Sequence, residues 1–122
     1  MKTGLITRAL AAGIVGLLAA QSASAGNNYS TTFITISNLV FYSLSDDVYP
    51  QYAGTVAVYL AQPITWQFGK NCSTTTVAIR SADKPLMTAV QTALATGRPI
   101  QLFVDDSQTV DGVVCYLRAV EM

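Results

Sequence analysis

One stretch of the sequence repeats with the period of a helix, and it is enclosed by stretches that repeat with the period of a strand. Leu86, Val90, Ala93 and Leu94 recur on one face with Met87 beside them, while Thr88, Gln91, Thr92 and Ala95 fall on the other. One amphipathic helix has one apolar stripe to bury, so the strands around it must offer it a single apolar surface. Ser81 and Asp83 can offer side-chain oxygens to the free NH groups of a helix starting near Lys84, and Pro85 suits the first turn. Gly97 suits the left-handed position just past the end, and Pro99 stops continuation. Before the helix, Thr75, Val77 and Ile79 alternate with Thr76, Ala78 and Arg80. After it, Ile100, Leu102 and Val104 alternate with Gln101 and Phe103, so each flank reads as a half-buried strand.

The other elements are strands and turns. Thr32 to Tyr42 is a long β-favouring run whose phase slips around Ser37-Asn38, the signature of a bulge that lets one strand bend and serve two sheet faces. Ser43 to Tyr52 reads as a loop closed by Gly54, and Thr55 to Leu60 as a strand with Val56, Val58 and Leu60 on one face. Ala61 to Asn71 mixes Pro63 and Gly69 with large aromatics. Asp105 to Gly112 is polar and turn-like, Val113 to Val120 is the last strand, and Gly26 to Thr31 is polar and expected to fray. The resulting order, βββαββ, is mainly β with one helix. It is that of the OB-fold, a five-stranded Greek-key barrel with the helix capping one end. Closure would hide the edges of very apolar strands. A split α+β sheet with the helix on one face is the rival architecture.

The first 25 residues stand apart. Lys2 and Arg8 precede the uncharged run Ala9 to Ala20, and Ala23-Ser24-Ala25 forms an Ala-x-Ala cleavage site, the pattern of a secretory signal peptide. A core helix is the alternative, and a membrane anchor would need roughly 20 apolar residues, more than this run supplies. The expected mature chain is a single domain over residues 26–122, secreted or periplasmic, with no membrane span.

Export bears on the two cysteines, Cys72 and Cys115. In an oxidising compartment a disulfide between them is the expected reading, against two buried thiols. It would close a loop of about 43 residues, worth roughly 4 kcal/mol in the chain-entropy model. Losing Lys2 and Arg8 leaves five basic residues against seven acidic ones. No basic footprint for a phosphate backbone remains, so nucleic acid is not an expected partner. The chain has no histidine, which removes imidazole triads and the commonest zinc sites. Asp46-Asp47 and Asp105-Asp106 are adjacent carboxylates in polar segments, where solvated turn chemistry is the ordinary role. Asp105, Ser107, Thr109 and Asp111 fall on the odd spacing of a calcium loop, but Val110 occupies the glycine position and Tyr116 that of the bidentate glutamate. No metal, cofactor or catalytic residue is expected. Asn28-Tyr29-Ser30 and Asn71-Cys72-Ser73 match the glycosylation sequon, which matters only in a eukaryotic source.

Four segments together resemble a known group: Cys-Ser-Thr-Thr-Thr-Val-Ala-Ile (Cys72 to Ile79), Asp-Lys-Pro-Leu-Met (Asp83 to Met87), Ala-Thr-Gly-Arg-Pro-Ile (Ala95 to Ile100) and Cys-Tyr-Leu-Arg (Cys115 to Arg118). They resemble small exported bacterial proteins of unassigned function, which are similar to the OB-fold B subunits of AB-type toxins of the subtilase-cytotoxin kind. The resemblance covers Cys72 to Met122, and Phe33 to Leu60 by strand order alone. It implies a barrel, a homo-oligomeric ring of five and a cell-surface glycan as ligand. No sugar-contacting residue of that class maps onto these loops.

The candidate ligand-binding residues are Tyr49, Tyr52, Trp66, Phe68, Asp105 and Asp106, all in connections between strands. Rings with polar tips serve both apolar contact and hydrogen bonding. For Trp66 and Phe68 the competing reading is a minor core folded over one end of the barrel. The expected activity is noncatalytic binding, of a glycan in the manner of a toxin B subunit. A structural or protein-interaction role, as a homo-oligomer or inhibitor, is the alternative.

Overall fold

The helix and its flanking strands form where their periods placed them. A computed structural model describes residues 27–69 and 72–122; the expected signal peptide lies outside the described residues, as does Asn71 of the second sequon. The elements are β1 (Asn28–Tyr29), β2 (Ile36–Phe41), a 3-10 turn (Pro50–Tyr52), β3 (Thr55–Leu60), β4 (Thr76–Arg80), α1 (Lys84–Thr96), β5 (Gln101–Thr109) and β6 (Cys115–Glu121). They build one six-stranded sheet in the order β1-β5-β6-β4-β3-β2, where five strands and a closed barrel were expected; its end strands β1 and β2 follow one another in sequence and do not pair with each other. Its pairs are antiparallel except β4 with β6, which run parallel and register Ala78 against Tyr116.

The two ends of that sheet belong to one run of chain. Asn28 and Tyr29 pair with Val104 and Phe103 of β5. Ser30 N–H donates to the Leu102 carbonyl at 2.9 Å, and Ile34 and Ile100 exchange backbone bonds of 2.7 and 2.9 Å. The run then shifts register between Ile36 and Asn38 and pairs with β3. The bulge thus lies where the phase slipped in the sequence.

Burial explains why the sheet and helix hold. Val58, Val77, Ile79, Ile100, Leu102 and Val104 are completely buried together with Val90 and Ala93 of the helix stripe, and each large aliphatic contributes about 1.5–3 kcal/mol relative to exposure. Leu94 and Met87 pack half-buried against this core. Gly97 closes the helix with φ of 66°, and its N–H reaches the Ala93 and Leu94 carbonyls. The disulfide between Cys72 and Cys115 is formed, with 5.4 Å between its Cα atoms, and both residues are buried.

Four expectations need correction. The segment from residue 27 to Thr31 does not fray: Asn28 and Ser30 are fully buried, their side chains paired with the backbone of Phe68 and Leu102. Asp83 occupies the helix N-cap without a side-chain cap bond; its carbonyl accepts the Met87 N–H instead. The strand after the helix does not stop at Val104 but continues to Thr109 through two register shifts, so Asp105 and Asp106 lie on β5 and the turn is confined to residues 110–114. Finally, β4 is not half-buried, and neither is its neighbour β3. Ala57 and Ala78, on the face away from the core, are as inaccessible as Val58 and Val77, because that outer face carries Tyr59, Arg80 and Tyr116 around them.

Candidate functional site: a tyrosine patch on the outer face

The loop between β2 and β3 is held by its own polar groups. The Ser43 carbonyl accepts the N–H groups of Asp46 and Gly54 at 3.2 and 2.9 Å, which pins both ends of the loop together. Asp46 Oδ1 accepts from Val48 N–H at 3.1 Å and Tyr49 N–H at 2.7 Å, an Asx-type turn. Gly54 has φ of 74°, and a Cβ there would meet Leu44 Cδ2 at 3.1 Å, so two constraints favour glycine.

This frame gathers three rings. Tyr42 follows β2 and lies 4.9 Å from the Tyr52 ring and 6.4 Å from the Tyr49 ring, the latter edge-on. Tyr52 donates its hydroxyl to Asp111 Oδ2 at 2.9 Å, tying this loop to the turn between β5 and β6. In that turn Asp111 Oδ1 accepts from Val113 and Val114 N–H at 3.3 and 3.1 Å. Nearby, the Arg80 guanidinium sits 3.8 Å from the Tyr116 ring centroid and donates to Gln108 Oε1 at 3.0 Å. Thr55, paired with Arg80 across β3 and β4, donates to the Tyr52 carbonyl at 2.6 Å and so joins the two parts.

The electrostatics follow from this packing. Burial pushes the Tyr42 phenol up, helped by Tyr59, Tyr49 and Asp46. Burial and then the hydrogen bond to the Asp111 carboxylate push the Tyr52 phenol up further. For Asp111 burial alone would raise the carboxyl, but the Val114 N–H, the Tyr52 hydroxyl and the Val113 N–H outweigh it, and it stands below the usual carboxylate range. The patch therefore offers aromatic faces, neutral hydroxyls, an ionised carboxylate and a guanidinium within one surface. That combination presents apolar and hydrogen-bonding surface side by side.

Of the residues singled out in the sequence, Tyr49 and Tyr52 are brought together here. Trp66 is not. It packs half-buried against the core and donates Nε1–H to the Ser73 carbonyl at 3.1 Å, which is the minor-core role that competed with ligand binding. Phe68 belongs to a second cluster, edge-on to Tyr29 at 6.0 Å, with Phe103 beyond Tyr29 and Arg118 over Phe103. Buried Asn28 clamps it, donating to the Phe68 carbonyl at 2.8 Å and accepting the Phe68 N–H at 2.9 Å, so both the nitrogen and the oxygen of that sequon's amide are engaged. Asp105 Oδ1 accepts from the N–H and hydroxyl of Ser107, and Asp106 is half-buried on β5. Asp105, Ser107 and Thr109 are strand residues rather than a calcium loop.

Sequence reasoning missed Tyr42, Asp111 and Arg80. Tyr42 reads as the tail of a strand, and only the pairing of its N–H with the Thr55 carbonyl puts it beside Tyr52. Among the described residues no helix is long and apolar enough to cross a membrane, and no cluster of three or more metal-ligating side chains occurs. Compared with models of protein families, with curated proteins and with solved structures, the chain finds no match in any of the three.

Proposed function

We propose that the protein is an exported, noncatalytic recognition module with an OB-like barrel, and that it binds a glycan through the patch of Tyr42, Tyr49, Tyr52, Arg80 and Asp111. The leader-like pattern at Met1 to Ala25 and the buried disulfide support export. The strand order, the parallel β4–β6 pair and the run from Asn28 to Phe41 that pairs with both β5 and β3 support the barrel. OB barrels bind oligosaccharides through the face of their second and third strands and the loops flanking it, which are here β3, β4 and the two loops that meet at the patch.

One observation carries the reading: the 2.9 Å bond between Tyr52 and Asp111 joins two loops distant in sequence into one prearranged surface. Prearrangement lowers the ordering cost of binding. Tyr49 is 54% exposed and its ring is available to ligand. Screening on a glycan array followed by titration calorimetry tests the proposal. Tyr49→Ala should weaken binding at least about tenfold, the loss of roughly 1.4 kcal/mol, without shifting the melting temperature. A glycan ligand whose affinity is indifferent to Tyr49→Ala and Asp111→Ala would refute the site, and absence of any glycan ligand would refute the class. A protein ligand is the second reading, favoured by Leu44 and Val48, which stand 82% and 73% exposed on the same loop.

A further inference from the structure

Away from the tyrosine patch, β2 ends the sheet, and among the described residues its outer edge has no strand partner. Register shows which groups are left over. Tyr42 N–H bonds to the Thr55 carbonyl, so in the alternating antiparallel pattern Val40 also turns its N–H and C=O toward β3, while Leu39 and Phe41 turn theirs outward. Those two residues also line a groove of about 390 Å³ between β2 and α1, whose helix wall is Gln91, Leu94 and Ala95. Phe41 stands 57% exposed at its rim. Edge, groove and exposed ring thus coincide.

We propose that a second copy of this chain occupies this edge, pairing β2 with β2 antiparallel about a two-fold axis through Val40. In that register Leu39 faces Phe41 of the other copy and Phe41 faces its Leu39. Because both residues turn their amide groups outward, each such pair exchanges two backbone hydrogen bonds, and the two pairs are related by symmetry. Facing side chains of an antiparallel pair share a side, so each Phe41 ring enters the groove beside the opposite Leu39 and Leu94. The edge is complementary to itself in main chain and in shape. No charged side chain lines the groove, so two copies meet without like-charge repulsion. An edge segment such as Leu39-Val40-Phe41, with no charged residue or proline of its own, is open to pairing with another strand. The outward bulge side of the strand, at Ser37 and Asn38, limits the pairing to its second half.

The proposal stands apart from the glycan reading, because it uses the opposite side of β2 from the ladder that carries Tyr42. It also differs from the ring of five that the sequence resemblance implies, since a two-fold pair closes on itself. Three measurements on the full-length secreted product test it. Native mass spectrometry at about 100 μM, well above a Kd of about 1 μM, should give twice the chain mass. Phe41→Lys should return it to a monomer while the far-UV circular dichroism spectrum stays unchanged, Phe41 being exposed, and its melting temperature should lose the dependence on concentration that the dimer confers on the parent. The Val40→Cys variant, oxidised after its native disulfide has formed, should become a covalent dimer. Val40 faces its own copy at a non-hydrogen-bonded position, where Cα atoms lie about 4.5 Å apart, within disulfide reach. A monomer, a pentamer, a dimer indifferent to Phe41→Lys, or a dimer that Val40→Cys fails to link would each overturn the proposal. So would capture of a foreign extended peptide in place of the second copy.

Discussion

Replacing Asn28 with alanine should damage this fold far more than its place near the start of the chain suggests. Asn28 is fully buried, and its amide makes two bonds across 40 residues of sequence to the backbone of Phe68, at 2.8 and 2.9 Å. Alanine removes both, leaves the Phe68 N–H and carbonyl without their partner, and opens a small void. Two hydrogen bonds at about 1 kcal/mol each, plus incomplete rescue by water at part-buried groups, give a loss of about 2–3 kcal/mol. In a domain of this size that is about 10–20 °C in melting temperature. Urea titration followed by far-UV circular dichroism gives the free energy, and Gln67→Ala, an exposed neighbour, serves as the control. A loss below about 0.5 kcal/mol, the range of ordinary surface substitutions, would refute the clamp as a source of stability.

Reduction of the Cys72–Cys115 bridge, or its replacement by two alanines, should cost roughly 4 kcal/mol on chemical denaturation, and an unchanged midpoint would contradict it. Asp111 has a lowered carboxyl value, so its contribution to stability is complete above the unfolded carboxylate range and is lost as pH falls through the folded value. Asp111→Asn should flatten that acid limb of a stability–pH curve, while a curve superimposable on the parent's would count against the loop tie. Tyr52 shows the opposite sign. Its phenol is raised, so its contribution is complete below about 10, the unfolded value, and disappears as pH rises through the folded one; ultraviolet phenolate titration should find one fewer late-ionising tyrosine in Tyr52→Phe. Gly97→Ala should cost about 1–2 kcal/mol, because φ of 66° penalises a Cβ even where space is open, and a neutral result would argue against the left-handed helix end.

Local pattern sufficed where local forces decide. Leu86, Val90 and Ala93 are buried as their spacing requires, Gly97 ends the helix, and the Ser37-Asn38 phase slip marks a real register shift. It failed where distant partners decide. Asn28 and Ser30 look like solvent residues until Phe68 and Leu102 come to meet them. Asp105 to Thr109 look like a turn because their side chains are polar, yet Asp105 and Thr109 pair with Tyr116 and Cys115 of β6 and carry the irregular segment between them as part of the strand. Two of the five patch residues were readable: Tyr49 and Tyr52 sit in a loop with turn chemistry. The rest depends on Tyr42 and Asp111, whose meeting at Tyr52 is a matter of sheet register and loop docking that no local period encodes.

The run that pairs with both β3 and β5 has a temporal meaning as well. Its first residues are made early but find their neighbours late: Leu102, which bonds Ser30, is synthesised 72 residues afterwards. Contacts so far apart in sequence delay folding until nearly the whole polypeptide is present. A nascent chain of this design acquires its shape only once nearly its whole length is free to pair.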